Sequence, residues 1–212
     1  MSISLYQLHI KTNQPNDVKS FLLDWLEEKT GEKPSIYENQ SSAFAFFKNE
    51  TPSIFALSIL HENWVTILHD SYEQLLDLAN RLSFAVRSTV LNVMAQSTVD
   101  TYYLSVHQEG KLVRKIYFGE DVLEIEQEGK PFPFEKLPTG TNIKTGKEPF
   151  YSFDYDDMHE FCLHFHVDIL KDPTDMDGHW TVIKQNNSSS SVTKKDSLFR
   201  SIIDGFLKKK NK

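Results

Sequence analysis

The sequence lacks features on which several classes of protein depend. A single cysteine, Cys162, stands among the 212 residues, so no disulfide can form within the chain and an oxidising compartment is not required. No long apolar run occurs, and Met1 leads directly into an alternating segment without a basic leader. We therefore predict neither a membrane span nor a signal peptide, and the expected location is the cytoplasm.

The local signatures of common enzymes are also missing. The chain contains no phosphate-binding loop, dinucleotide-binding glycine pattern, serine-hydrolase elbow, HExxH zinc motif or CxxC pair. We therefore predict no catalytic residue and no cofactor, and we favour a non-enzymatic role. An enzyme whose site is assembled from distant residues is the alternative.

Positive charge is scarce outside the last part of the chain. The formal net charge is −7, but residues 194–212 carry net +5 and the remainder carries net −12. An acidic body cannot neutralise phosphates, which argues against nucleic acid as a partner. Acidity keeps a protein soluble, and it also favours a basic protein partner through long-range attraction.

The most regular pattern runs from Trp64 to Phe118. After a strand-like run, Ser71 is the expected N-cap of an amphipathic helix that extends to Ser88. Apolar residues recur there at helical spacing, at Leu75, Leu76, Leu78, Ala79, Leu82, Ala85 and Val86. Beyond Ser88 the period changes to two, and the turn at Gly110 predicts an antiparallel hairpin. The order β-α-β-β-β predicts an antiparallel sheet with a helix packed on one face.

The first part of the chain shows the same order of elements. A strand precedes a helix capped by Asn16 or Asp17, and three short strand candidates follow at 35–38, 43–47 and 54–60. We therefore predict an α+β protein with antiparallel sheets and helices packed on one face. The boundaries suggest one β-α-β-β-β unit over 1–62 and a second over 63–136, which could join edge to edge or pack face to face.

Two further segments follow the second unit. The extension over 137–185 contains a loop, a helix over 155–170 capped by Asp156 or Asp157, and a strand. The segment 186–212 reads as a polar linker and a basic amphipathic helix. The apolar side of that helix contains Leu198, Phe199, Ile202, Ile203, Phe206 and Leu207.

The helix at the end of the chain is open to three interpretations. It would bind a partner through Phe199, Ile203 and Phe206, dock back on the acidic body, or make the protein a membrane-surface adaptor. The third interpretation is the weakest on physical grounds, because the helix is short and no second anchor is evident.

Metal-ligand residue types are concentrated in the predicted helix of the extension. His159, His164 and His166 lie close in sequence around Cys162. Their spacing matches none of the usual zinc patterns, and Cys162 falls on the apolar stripe of the helix. We predict no metal here, and we keep the three histidines as the candidates for a metal-assisted enzyme.

One pattern resembles a known group of proteins. The run from Trp64 to Phe118, with its ladder VLNVMAQSTVDTYYLSVHQEGKLVRKIYF, resembles a recurrent bacterial pattern, and GKPFPFE at 129–135 is similar too. The pattern occurs in uncharacterised α+β proteins, some of which look like immunity proteins of toxin–immunity systems. The resemblance implies a binding role and names no active-site residue. The leading hypothesis is a non-enzymatic protein that masks a partner with an acidic, aromatic-bearing face.

Overall fold

A single antiparallel sheet forms the centre of the protein. The computed structural model describes residues 4–41, 49–119, 125–135 and 153–186. The strands in these residues are β1 (Ser4–Lys11), β2 (Ser35–Gln40), β3 (Ile54–His61), β4 (Trp64–His69), β5 (Thr89–Gln96), β6 (Thr101–Gln108), β7 (Lys111–Phe118), β8 (Glu126–Gly129) and β9 (Trp180–Lys184). The helices are α1 (Pro15–Thr30), α2 (Leu76–Ala85) and α3 (Tyr155–Leu163). The predicted α+β class with an antiparallel sheet is confirmed.

The strands of all three predicted segments belong to this one sheet. Their spatial order is β2-β9-β3-β4-β1-β5-β6-β7-β8. Strand β4, from 63–136, pairs with β3 on one side and β1 on the other, both from 1–62. Strand β9, from 137–185, lies between β2 and β3. The predicted strand at 43–47 and the tail from residue 187 onward lie outside the described residues.

Helices α1 and α2 pack on one face of the sheet. Strand alternation places Leu8 and Ile10 of β1 on this face, where they meet Leu22 of α1 and Leu82 of α2 in a common core. All four side chains are completely buried. Burial of each contributes about 1.5–3 kcal/mol to folding.

Helix α3 covers the opposite face. Its buried Met158, Phe161 and Cys162 pack with residues of β5 and β6 that alternate with those facing α1 and α2. The predicted caps were wrong, because the N-cap is Asp154. Its carboxylate accepts from the backbone N–H groups of Asp156 and Asp157, and Asp157 returns a bond to the Asp154 N–H. The helix ends at Leu163, earlier than predicted.

The starts of the other two helices also differ from the prediction. Helix α1 begins at Pro15, with Gln14 as the N-cap, so Asn16 and Asp17 lie inside its first turn. Proline is favoured there because its fixed φ suits a helix and its missing N–H would have no partner. Helix α2 begins at Leu76, and Ser71 is not its cap.

The segment between β4 and α2 is held in a non-helical path by two polar side chains. The Ser71 hydroxyl donates to the Glu50 carbonyl and accepts from the Glu73 N–H. Asp70 is buried, and its carboxylate accepts four hydrogen bonds from residues 49–54, two of them from backbone N–H groups. These bonds engage residues 70 and 71 with residues 49–54, so the helix starts only at Leu76.

No helix within the described ranges is both long enough and apolar enough to cross a bilayer.

Candidate functional site

A cavity of about 530 Å³ opens on the face of the sheet that carries α1 and α2. Its sheet side is made by Tyr6 of β1, Met94 and Gln96 of β5, Thr101 of β6 and Tyr117 of β7. These residues lie within three positions of one end of their strands, beside the start of α2 at Leu76. The opposite wall is made by residues 72–76. We call this space the tyrosine cavity.

The wall over 72–76 exists because α2 starts late. Leu75 has φ +46°, a left-handed conformation that leucine rarely adopts and that costs roughly 1–2 kcal/mol. Its side chain packs against the α1–α2 core, and its carbonyl accepts from the Ala79 N–H. The Asn92 side chain donates to the Gln74 carbonyl from the sheet below. A helix beginning at Ser71, as the sequence predicts, would not give this segment the path that lines the cavity.

The floor of the tyrosine cavity is aromatic and well packed. Tyr6, Met94 and Tyr103 form a buried cluster, against which Leu76 and Tyr117 pack. The rings of Tyr103 and Tyr117 have centroids 6.5 Å apart. A floor of this kind is rigid, because its side chains are fixed by their neighbours on adjacent strands.

The polar side chains of the tyrosine cavity are phenols, amides, a hydroxyl and one carboxyl group, and all but the carboxyl group can both donate and accept hydrogen bonds. The Tyr6 hydroxyl donates to Gln96 Oε1 at 3.2 Å. Burial raises the pKa of Tyr6. Burial, together with the charge of Glu50, raises the pKa of Tyr72. Both tyrosines are therefore neutral at physiological pH.

The charge of the cavity is negative. Among its described lining residues, Glu73 is the one acidic side chain, and no lysine, arginine or histidine lines it. Asp100 directly precedes the lining residue Thr101. The N-terminus of α2 contributes a partial positive charge nearby, and Glu73 and Asp77 oppose it. The lining therefore suits a cationic group better than an anionic one.

The three histidines predicted as candidate metal ligands have separate surroundings. His159 Nε2 donates to Asp168 Oδ1 at 2.9 Å. The His164 ring stacks on Phe134, with centroids 4.0 Å apart. His166 is exposed in a left-handed turn at φ +62°. Cys162 is completely buried, and burial raises its thiol pKa. Within the described residues, no group of three or more histidine, cysteine, aspartate or glutamate side chains is arranged to hold a metal ion.

A chain of polar contacts links His159 to a histidine on β1. His61 Nε2 donates to the Asp168 carbonyl at 2.9 Å, so its Nδ1 is an acceptor for the Thr66 hydroxyl at 3.4 Å. The Thr66 oxygen then accepts from His9 Nδ1 at 3.1 Å. His9 is completely buried, and burial lowers its pKa to about 3. This series of hydrogen bonds joins the loop after α3 to the β3–β4 hairpin, and we assign it a structural role.

The structure does not test the partner-binding residues that were predicted in the last helix. Phe199, Ile203 and Phe206 lie outside the described residues. No sequence pattern predicts the tyrosine cavity, because its residues come from four strands, the segment 72–75 and the first residue of α2. The one available signal was strand alternation, which places Tyr6, Met94 and Tyr117 on the same face as the helices.

Comparisons with known proteins identify no relative of this chain. No protein-family model matches the chain, and no curated protein and no solved structure shows a significant match.

Proposed function

We propose that this protein is a non-enzymatic binding module of immunity type, which masks a basic segment of a partner protein. The tyrosine cavity is the anchor point, and it receives a lysine or arginine side chain of the partner. The observation that carries the proposal is the lining: three tyrosines, amide and carboxylate oxygens, and no cation among its described residues.

The chemistry of the lining suits a guanidinium or ammonium group. A cation over an aromatic face gains about 0.5–2 kcal/mol, depending on how far it is desolvated. Glu73 and Gln96 supply oxygen acceptors at the rim and on the floor. A volume of about 530 Å³ also lies in the range typical of ligand pockets, which leaves room for the groups that flank the cation.

The distribution of charge supports the same partner class. Residues 1–193 carry net −12, which attracts a basic surface over long distances and raises the association rate at low salt. A few buried anchor side chains dominate the energy of most protein interfaces. One basic side chain seated in the tyrosine cavity would thus fix the register of a larger contact. The single cysteine is compatible with action in a reducing cytoplasm.

The proposal is tested by capture from a lysate of the source organism at low salt, with three forms of the full chain. The first is the unaltered protein, and the second is Thr101→Arg, which adds a cation at the rim of the cavity. The third is Leu170→Arg, which makes the same charge change at an exposed position after α3. Thermal unfolding of all three forms verifies that they fold.

The expected result is one stoichiometric basic protein on the unaltered chain and on Leu170→Arg, and its loss on Thr101→Arg. Equal capture by both variants would contradict an anchor in the tyrosine cavity. No partner on any form, together with turnover of a small molecule by the purified protein, would favour the enzyme alternative. Sedimentation with anionic vesicles tests the membrane-surface alternative. That alternative requires that the full chain binds the vesicles and that a chain ending at Gln185 does not.

A further inference from the structure

A second surface of the described part of the protein combines an exposed and a half-buried phenylalanine side chain. Helices α1 and α2 lie side by side, and with the β6–β7 turn they enclose a groove of about 530 Å³. Phe21, Phe84 and Ala85 line it, with Gly110 at its end. Phe84 is 70% exposed, the highest fraction among the large exposed hydrophobic residues that the structure describes. We call this surface the α1–α2 groove.

The α1 side of the groove is acidic. Asp17, Phe21, Asp24 and Glu28 are spaced four, three and four residues apart, so they form one row on the helix surface. On the α2 side Arg81 forms ion pairs with Glu28 and Asp77, which balance its charge. The groove is therefore an apolar strip with an acidic border on its α1 side, while Glu109 and Lys111 balance each other at its β6–β7 end.

The end of the described chain lies near this groove. The Asn186 side chain donates to the Lys33 carbonyl at 2.8 Å and accepts from the Ser35 hydroxyl at 2.6 Å. Lys33 is five residues beyond Glu28, which contacts the groove residue Arg81. The five residues from Glu28 to Lys33 span at most about 17–18 Å, whereas residues 187–196 could span up to about 33–36 Å.

From these relationships we infer that residues 197–207 of the same chain occupy the α1–α2 groove as an amphipathic helix. The sequence places Phe199, Ile203 and Phe206 on one side of that helix, where they would cover Phe21 and Phe84. Arg200 and Lys208–Lys210 would meet the acidic border. This inference is independent of the tyrosine cavity, which lies at another part of the same sheet face.

A tethered segment suits this groove better than a free partner of the same affinity. A short flexible linker gives the segment an effective concentration in the millimolar range, so weak contacts suffice for high occupancy. The docked segment would also remove the exposed apolar surface that otherwise favours association between molecules.

The test measures the reactivity of a thiol introduced by Ala85→Cys. Ala85 lines the groove, and Cys162 gives no background because it is completely buried. We expect a maleimide to label the full chain at least about tenfold more slowly than a chain ending at Asn186. A peptide of residues 194–212 added to the shortened chain restores protection, and the same peptide with Ile203→Asp and Phe206→Asp does not.

Two controls distinguish docking of the tail from an unoccupied groove and from a groove that is occupied by a second copy of the protein. A thiol introduced by Leu170→Cys, away from the groove, reacts at the same rate in the full and shortened chains. Equal rates at position 85 in the two chains would overturn the inference. Protection that persists in the shortened chain and rises with protein concentration would also overturn it, because the occupant would then be a second copy.

Discussion

The guanidinium of Arg114 on β7 and the carboxylate of Glu135 form a bidentate ion pair, with Nε–Oε1 at 2.9 Å and Nη2–Oε2 at 2.6 Å. Both side chains are almost completely buried, at 1% and 2% exposure. Arg114 also donates to the Glu128 carbonyl and the Gln127 side chain, and Glu135 accepts from the Phe132 N–H. The pair thus fixes the segment 126–135 against the sheet, where Phe132 and Phe134 pack on Phe161 of α3.

Breaking this ion pair on one side should destabilise the protein strongly. Arg114→Met leaves the Glu135 carboxylate buried without its partner, and we expect a loss of roughly 3–5 kcal/mol in the free energy of unfolding. The double variant Arg114→Met with Glu135→Leu should lose less, because no buried charge remains. Urea unfolding of the two variants and the unaltered protein measures the difference. A double variant as unstable as the single one would contradict this explanation.

Gly129 should be far less replaceable than Gly31, although both have a positive φ. Gly31 has φ +72° and open space where a Cβ would stand. Gly129 has φ +83°, and a Cβ there would lie 2.0 Å from the Val113 carbonyl oxygen. We expect Gly31→Ala to cost about 1–2 kcal/mol from backbone strain alone, and Gly129→Ala to cost roughly a further 1–3 kcal/mol from the clash. Chemical denaturation of the two variants checks the difference, and equal costs would contradict it.

Acid should weaken the fold through buried histidines before most carboxylates titrate. Burial lowers the pKa of His107 to about 4 and that of His9 to about 3, against an ordinary value of 6.5. The unfolded chain therefore binds more protons than the folded one, and stability present above pH 6.5 is lost as the pH falls below it. Each histidine contributes a slope of up to about 1.4 kcal/mol per pH unit between pH 6.5 and its folded pKa.

The contribution of His107 can be isolated by replacement. His107→Gln removes one titrating group beside Asn80 and Ser105, so the unfolding free energy should depend less steeply on pH between 6.5 and 4. The unaltered protein, unfolded under the same conditions, is the reference for the slope. Urea unfolding at a series of pH values supplies the slopes. An unaltered slope in His107→Gln would contradict the assignment.

The parts of the fold that repeat a simple period could be predicted from the sequence. Alternation in 90–118 gave the β5–β6–β7 ladder, and helical spacing gave α1 and the buried stripe of α2. The start of α2 could not be predicted in this way. The Ser71 hydroxyl bonds to the Glu50 carbonyl, and the neighbouring Asp70 carboxylate accepts from Ser53, so both sets of partners lie roughly twenty residues away in sequence. A rule that identifies N-caps from nearby residues alone cannot detect partners so far away in sequence.

The candidate site was harder to predict for the same reason. The tyrosine cavity needs Tyr6, Met94 and Tyr117 to become neighbours, which depends on β1 lying next to β5. That order requires the pairing of distant segments, and no short motif encodes it. The place of β9 between β2 and β3 was equally hidden, because the sequence offers no register between strands so far apart.

The most direct test of the central claim is an NMR titration with a capped peptide that contains one arginine, beside the same peptide with citrulline. Citrulline keeps the shape of the side chain and removes its charge. We expect the arginine peptide to shift the backbone signals of Leu76, Met94, Gln96 and Thr101, and the citrulline peptide to leave them in place. Shifts that are absent, lie elsewhere in the protein, or are equal for both peptides would contradict a tyrosine cavity that receives a basic side chain.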